Sequence, residues 1–160
     1  LPSLADMAIT NKNIVVAKTF SKIYGLAGAR IGYAIAHADT INKLGVLQPW
    51  PTVSISAVTA AAAMAALKDE AFVNDCRKKN AEARNMCYNT FKQMKLEYIP
   101  SAASFVMVNI SSIGERYTQQ MQSKNIFVQY RDFWNGKWSR VSMGTLDEMK
   151  MFCDALKGIG

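Results

Sequence analysis

The sequence predicts an α/β fold in two parts, and three observations carry that prediction. Two apolar, β-branched runs near the front read as strands. An alanine-rich stretch and a long charged stretch with apolar residues at helical spacing read as consecutive helices. Behind them, short strand-like runs alternate with two shorter helices. The composition agrees: of 160 residues, 50% are hydrophobic and 19% charged, with 9 Gly and 4 Pro. That excludes a disordered tail, a collagen and a disulfide-stapled miniprotein.

The first strand is expected over residues 14–20, where the continuous run Ile14-Val15-Val16-Ala17 is the pattern of a strand buried on both faces. Gly25 and Gly28 punctuate the next stretch, and residues 30–36 read as the second strand. Asp39 is placed to cap a short helix ending near Leu44. Pro49-Trp50-Pro51 is a stiff extended connector that no helix crosses. From Ser54 or Ser56 to Leu67 the alanines predict a helix. Asp69 then caps a longer one to about Met94, with Phe72, Cys76, Ala83, Met86, Cys87, Phe91 and Met94 on its apolar side. Strands are expected at residues 96–99, 104–110 and 139–143, and a helix at 114–124. Residues 126–129 continue the chain, and residues 132–137 read as a loop. Thr145 with Glu148 is a capping box that opens a last helix to Leu156. The boundary between the two parts falls inside the long helix, dividing residues 1–75 from 76–160.

The net charge of +7 is spread along the chain. There is no basic stripe with interleaved aromatics, so no nucleic-acid partner is expected. The longest apolar stretch, residues 57–67, falls far short of a membrane span. Cys76, Cys87 and Cys153 are an odd count without metal-ligand spacing, which suits reduced thiols in a cytoplasmic compartment and no metal.

The chemistry concentrates in residues 18–33. A strand ends in Ser21-Lys22, a glycine-marked turn reverses the chain, and Arg30 opens the next strand. A turn centred on Leu26 sets Lys22 and Arg30 opposite each other, with Cβ atoms on the order of 5 Å apart. Two cations so placed repel, and an anion beside them reverses the sign. A phosphate suits the arginine fork and the Ser21 hydroxyl. An amine beside another cation sheds its proton more readily and attacks carbonyls. The other reading of the same spacing is a plain hairpin with Lys22 and Arg30 both in water.

Ser21-Lys22, Tyr24-Gly25-Leu26-Ala27-Gly28 and Arg30-Ile31-Gly32-Tyr33 together resemble the cofactor-lysine signature of fold-type-I aminotransferases, which use pyridoxal 5′-phosphate (PLP). The histidinol-phosphate branch of class I/II is the most similar. Pro49-Trp50 with Ser56-Ala57, and then Ser139-Arg140-Val141-Ser142-Met143-Gly144-Thr145, continue the resemblance in order along essentially the whole chain. It implies the last strands of a large PLP-binding domain followed by a small C-terminal α+β domain. It implies transfer of an amino group from an amino acid to a 2-oxo acid through a Schiff base between PLP and Lys22. Ser21, Arg30 and Thr19 would bind the cofactor phosphate, Arg140 the substrate carboxylate and Arg131 a phosphate on the substrate. It also implies a homodimer.

In that family the carboxylate that meets the pyridine nitrogen, and most other cofactor contacts, precede the Ser-Lys motif. Here 21 residues precede Lys22, so the expectation is a C-terminal part that by itself does not transaminate usefully. Its first strand would expose an apolar edge prone to self-association. The competing expectations are a stand-alone α/β interaction module, or an anion-binding domain that uses Ser21 and Arg30 without covalent chemistry.

Overall fold

The computed structural model describes residues 3–47 and 55–159, so the expected connector at Pro49-Trp50-Pro51 lies outside the described residues. The chain divides into two compact units, Leu1–Val73 and Asn74–Gly160.

The first unit opens with α1 (Ala5–Thr10), a short helix that hydrophobic periodicity did not mark. Strand β1 (Val15–Thr19) pairs antiparallel with β2 (Gly32–Ala36), from Val15 opposite Ala36 to Thr19 opposite Gly32. Helix α2 (Ala38–Val46) is capped by His37, whose Nδ1 accepts from the Asp39 N–H at 3.1 Å. Asp39, the expected cap, instead forms an ion pair with Lys12. Helix α3 (Ala57–Lys68) starts at Ser56, whose Oγ accepts from the Thr59 N–H at 3.1 Å.

Strand β1 departs from expectation in its environment. Among the described residues it has one neighbouring strand, and of its own residues only Val16 is even half-buried. The buried hydrophobic side chains of this unit, among the described residues, are Ala8, Phe20, Ala63 and Val73. Leu4, Met7, Ile9, Val15, Val46 and Val58 are exposed.

Helix α4 (Glu70–Gln93) leads into the second unit, with Asp69 accepting from the Phe72 N–H at 3.0 Å as a capping residue does. Ala83, Cys87 and Phe91 are buried as its periodicity requires, whereas Phe72 is exposed. Strands β3 (Tyr98–Ile99) and β4 (Phe105–Asn109) come next, then α5 (Arg116–Gln122). The stretch expected as a loop over 132–137 is a hairpin of β5 (Tyr130–Phe133) and β6 (Gly136–Ser142), turning at Trp134-Asn135. Turn signals hid it, because Trp134 stands at φ 50°, a conformation usually given to glycine or asparagine. Helix α6 (Leu146–Lys157) begins with the capping box read from Thr145 and Glu148.

The sheet order is β3-β4-β6-β5, antiparallel throughout. Val106, Val108 and Val141 face a core built with Cys87 and Phe91 of α4, Tyr117 and Met121 of α5, and Phe152 and Leu156 of α6. Inside it the Ser139 hydroxyl donates to the Gln129 carbonyl at 2.8 Å, so it accepts from the Tyr117 hydroxyl at 2.9 Å. Burial pushes the Tyr117 phenol up to about 12, against the smaller opposing effect of Ser139.

A phenol whose folded pKa exceeds its usual 10 stabilises the fold fully below pH 10. The second unit therefore loses stability as pH rises from 10 towards 12, and Tyr117→Phe removes this step from urea midpoints measured across that range. Ser139→Ala, which strands the buried phenol, costs about 1–3 kcal/mol, and adding Tyr117→Phe recovers part of the loss.

Candidate active site

In the first unit the site candidates gather on the turn between β1 and β2. The Phe20 N–H donates to the Ile31 carbonyl at 3.2 Å, and the Leu26 N–H donates back to the Phe20 carbonyl at 3.0 Å. Phe20, 3% exposed, lies against the rings of Tyr24 and Tyr33, with centroids at 4.9 and 5.7 Å. The Gly25 N–H closes on the Lys22 carbonyl at 2.9 Å, with Gly25 at φ 67°. One turn of 3-10 helix, Ala27–Ala29, then brings the chain to Arg30.

Lys22 and Arg30 are not directly opposite, which corrects the spacing expected from a turn centred on Leu26. Thr19 pairs with Gly32 and Phe20 bonds to Ile31, so continuing the same register sets Arg30 against Ser21. The turn is centred one half-step earlier, between Gly25 and Leu26, and both cations belong to it rather than to the strands. Arg30 adopts φ 50°, ψ 52°, a left-handed conformation that costs a side-chain-bearing residue roughly 1–2 kcal/mol. Its Nη1 donates to the Ala27 carbonyl at 2.8 Å.

The Thr19 hydroxyl accepts from the Ser21 N–H at 3.0 Å and donates to Ser21 Oγ at 2.9 Å. Its own proton is thereby used, while the proton of Ser21 remains to be donated outward. Lys22 is exposed, and among the described residues its amine has no hydrogen-bond or carboxylate partner. Residues 18–33 hold Lys18, Lys22 and Arg30 and no carboxylate.

In the second unit, Arg131 and Arg140 share the sheet face turned away from the core. Arg131 is opposite Trp138, and Arg140 stands two residues beyond Trp138 on β6. Both arginines are exposed. The Arg140 guanidinium lies over the Phe105 ring, 4.0 Å from its centroid, and Nη1 is 3.4 Å from Ser142 Oγ. Spacing along the chain does not group these two arginines; only the hairpin register makes them diagonal neighbours.

The aminotransferase class I and II family matches residues 4–156, and the chain belongs to that family. It is 36% identical over 159 residues to the histidinol-phosphate aminotransferase of Moorella thermoacetica, covering 98% of this chain and 40% of that protein. To the enzyme of the same description from Caldicellulosiruptor saccharolyticus it is 36% identical over 149 residues, covering 92% and 41%. The chain thus spans about two fifths of the length of these curated relatives. A crystal structure of the histidinol-phosphate aminotransferase of Sinorhizobium meliloti, in complex with pyridoxal-5′-phosphate, superposes with a TM-score of 0.83 at 29% identity, covering 97% of this chain and 43% of that one. Mixed helix and sheet arranged as in part of an aminotransferase is therefore the fold.

A Cβ added to Gly32 would meet the Lys18 carbonyl oxygen at 2.6 Å, whereas one on Gly28 meets nothing within 4 Å. Gly32→Ala accordingly forces β1 from β2 and lowers stability by about 1–3 kcal/mol in urea unfolding. Gly28→Ala changes it by no more than about 0.5 kcal/mol.

Proposed function

We propose that this chain supplies the lysine and the phosphate-binding turn of a PLP-dependent aminotransferase that moves an amino group from an amino acid to a 2-oxo acid. The observation that carries this reading is the acid-free turn, where an unpaired Lys22 amine shares a bend with an arginine held in a costly backbone conformation. The donor set fits PLP. The Arg30 guanidinium and the outward Ser21 proton suit a phosphate dianion, with Thr19 fixing the Ser21 hydroxyl. The free amine of Lys22 suits the cofactor's aldehyde.

When bound, the cofactor supplies the electron-withdrawing ring that makes the α-proton of an amino acid removable. Lys22 would hold the cofactor through Nζ and, once the substrate amine had displaced it, would move that proton at the freed Nζ. Arg140, its flat face resting on Phe105, presents N–H edges to the carboxylate common to the amino acid and the 2-oxo acid. Arg131 meets a second anionic group on the substrate. The names of the relatives favour a donor of the histidinol-phosphate type.

The chain is read as the C-terminal part of the enzyme, with the end of the large domain up to about residue 75 and the small domain after it. The exposed apolar residues of the first unit support this reading, as does the two-fifths coverage of the relatives. By itself the chain then transaminates at no useful rate, lacking the carboxylate for the ring nitrogen. On this reading the complete protein is a homodimer. No helix among the described residues is long and apolar enough to cross a membrane.

Incubation with PLP, borohydride reduction and peptide mapping are expected to enrich the label at Lys22. Label spread evenly over Lys12, Lys43 and Lys68 sinks the proposal. Arg30→Gly removes a charged hydrogen-bond donor and weakens PLP binding by tenfold or more, on the order of 1.5–3 kcal/mol. It leaves unfolding stability nearly unchanged, since relief of the left-handed strain offsets the freedom glycine adds. Should Lys22→Ala retain wild-type PLP affinity, the anion-binding reading without covalent chemistry takes its place.

A further inference from the structure

Cys87 on α4 and Cys153 on α6 have no part in the chemistry proposed above, yet both are free thiols in the core of the second unit. Cys87 is 0% exposed and Cys153 3%. Cys87 stands between Ala83 and Phe91 on the buried face of α4, at the four-residue spacing that keeps one helix face. Cys153 lies with Phe152 and Leu156 on the buried side of α6. The two thiols meet between the helices: the Cys87 S–H donates to the Cys153 sulfur, and the Thr90 hydroxyl reaches the same sulfur. Thr90 and Ser139 are the buried polar side chains among the described residues, and Ser139 is occupied by Tyr117 and Gln129. Thr90 and the two cysteines thus form a separate cluster of soft and polar groups in an otherwise apolar core.

A buried cysteine among hydrocarbon alone is inert, because burial opposes the thiolate. This pair differs. The hydrogen bond from Cys87 holds the Cys153 thiol below its usual range against the opposing effect of burial, with smaller help from Thr90 and from the positive charge of Lys157 one turn on. The same hydrogen bond, with burial, pushes Cys87 up. The pair gives up one proton readily and resists loss of the second, which sets a thiolate against a thiol. Cys76 is no rival partner, since it is three turns earlier on α4, roughly 16 Å from Cys87 along the axis.

We propose that Cys87 and Cys153 are a modification site, a dithiol that hydrogen peroxide closes to a disulfide joining α4 to α6. The Cys153 thiolate attacks one peroxide oxygen. An S–O bond forms, the O–O bond breaks, and the other oxygen leaves as hydroxide, which takes up the proton the thiol had released. The Cys87 sulfur then attacks the sulfenic sulfur. The S–S bond forms, the S–O bond breaks, and the oxygen departs as water with the Cys87 proton. The two thiols lose two electrons in all, and one peroxide becomes two waters. Burial restricts the oxidant to a molecule of this size and shuts out glutathione disulfide. The loop so closed holds all four strands of the sheet, β6 with Arg140 among them. Oxidation therefore stiffens the unit that carries Arg131 and Arg140.

The test needs neither PLP nor substrate, so its outcome leaves the Lys22 mapping untouched. The reduced chain is treated with hydrogen peroxide under native conditions, blocked with iodoacetamide, digested and mapped by mass spectrometry. The Cys87 and Cys153 peptides are expected joined within a monomer, with Cys76 alkylated and both thiols restored by dithiothreitol. Glutathione disulfide should leave the pair reduced. Cys153→Ala should leave Cys87 unoxidised, whereas Cys87→Ala should stop Cys153 at a sulfenic acid that dimedone traps. Cys87→Ser, closer in size, serves the same purpose should the alanine variant not fold. The oxidised chain should unfold at a thermal midpoint higher by roughly 5 °C or more than the same sample after dithiothreitol, a comparison in which methionine oxidation is common to both. Cys87 and Cys153 remaining reduced while Cys76 reacts overturns the proposal. So does a cross-link that forms only in urea, or a midpoint that falls when the bond closes.

Discussion

The candidate site depends on how closely two short strands approach at one end. Thr19 faces Gly32, and only a residue without a Cβ leaves room for the Lys18 carbonyl there. That contact fixes where the chain turns, and the turn fixes which donors face outward. Against it stands the repulsion among Lys18, Lys22 and Arg30, which no acid in the segment offsets. The anchor on the other side is small: a single large buried ring, Phe20, between two tyrosines. A turn balanced this way would gain stability from an anion, so the proposed cofactor binding would be linked to folding of the first unit.

Much of the architecture was legible because it derives from period and capping. The alanine helix, the long helix beginning after Asp69 and the capping box at Thr145 all stand within a residue or two of expectation. Register was not legible. A glycine-rich segment does not reveal which residue centres its turn, and a half-step in register put Lys22 and Arg30 in the turn itself rather than on facing strands. The β5–β6 hairpin was hidden for a related reason: its turn carries Trp134 where statistics ask for glycine. With that hairpin unseen, Arg131, Trp138 and Arg140 could not be grouped on one face. The motif residues were found from resemblance, while their mutual geometry required the fold.

The continuous apolar run of β1 is a different kind of discrepancy. Period reads the environment to which a strand is adapted, and here that environment is burial on both faces. The described residues supply one neighbouring strand and leave most of β1 exposed. The second unit shows no such mismatch, since the buried residues of β4 and β6 meet three helices across a filled core. Unequal satisfaction of two units in one chain is what the C-terminal-part reading requires. It also explains why the turn bearing Lys22 and Arg30 stands on a sparse core, whereas the face bearing Arg140 is backed by a dense one.

The two arginines assigned to anions are restrained in ways that leave them able to bind. Arg140 uses the flat face of its guanidinium on Phe105, so stacking and in-plane hydrogen bonding do not compete. Arg30 gives one nitrogen to the Ala27 carbonyl and keeps the remaining donors of its fork. Each has already lost much of the rotamer freedom that binding would otherwise remove, which strengthens the net gain from an incoming oxyanion. Lys22 has no comparable restraint among the described residues. For a group proposed to approach a carbonyl and then carry a proton between two atoms, that freedom is suited to the task, whereas a clamped ammonium would be poorly placed for either step.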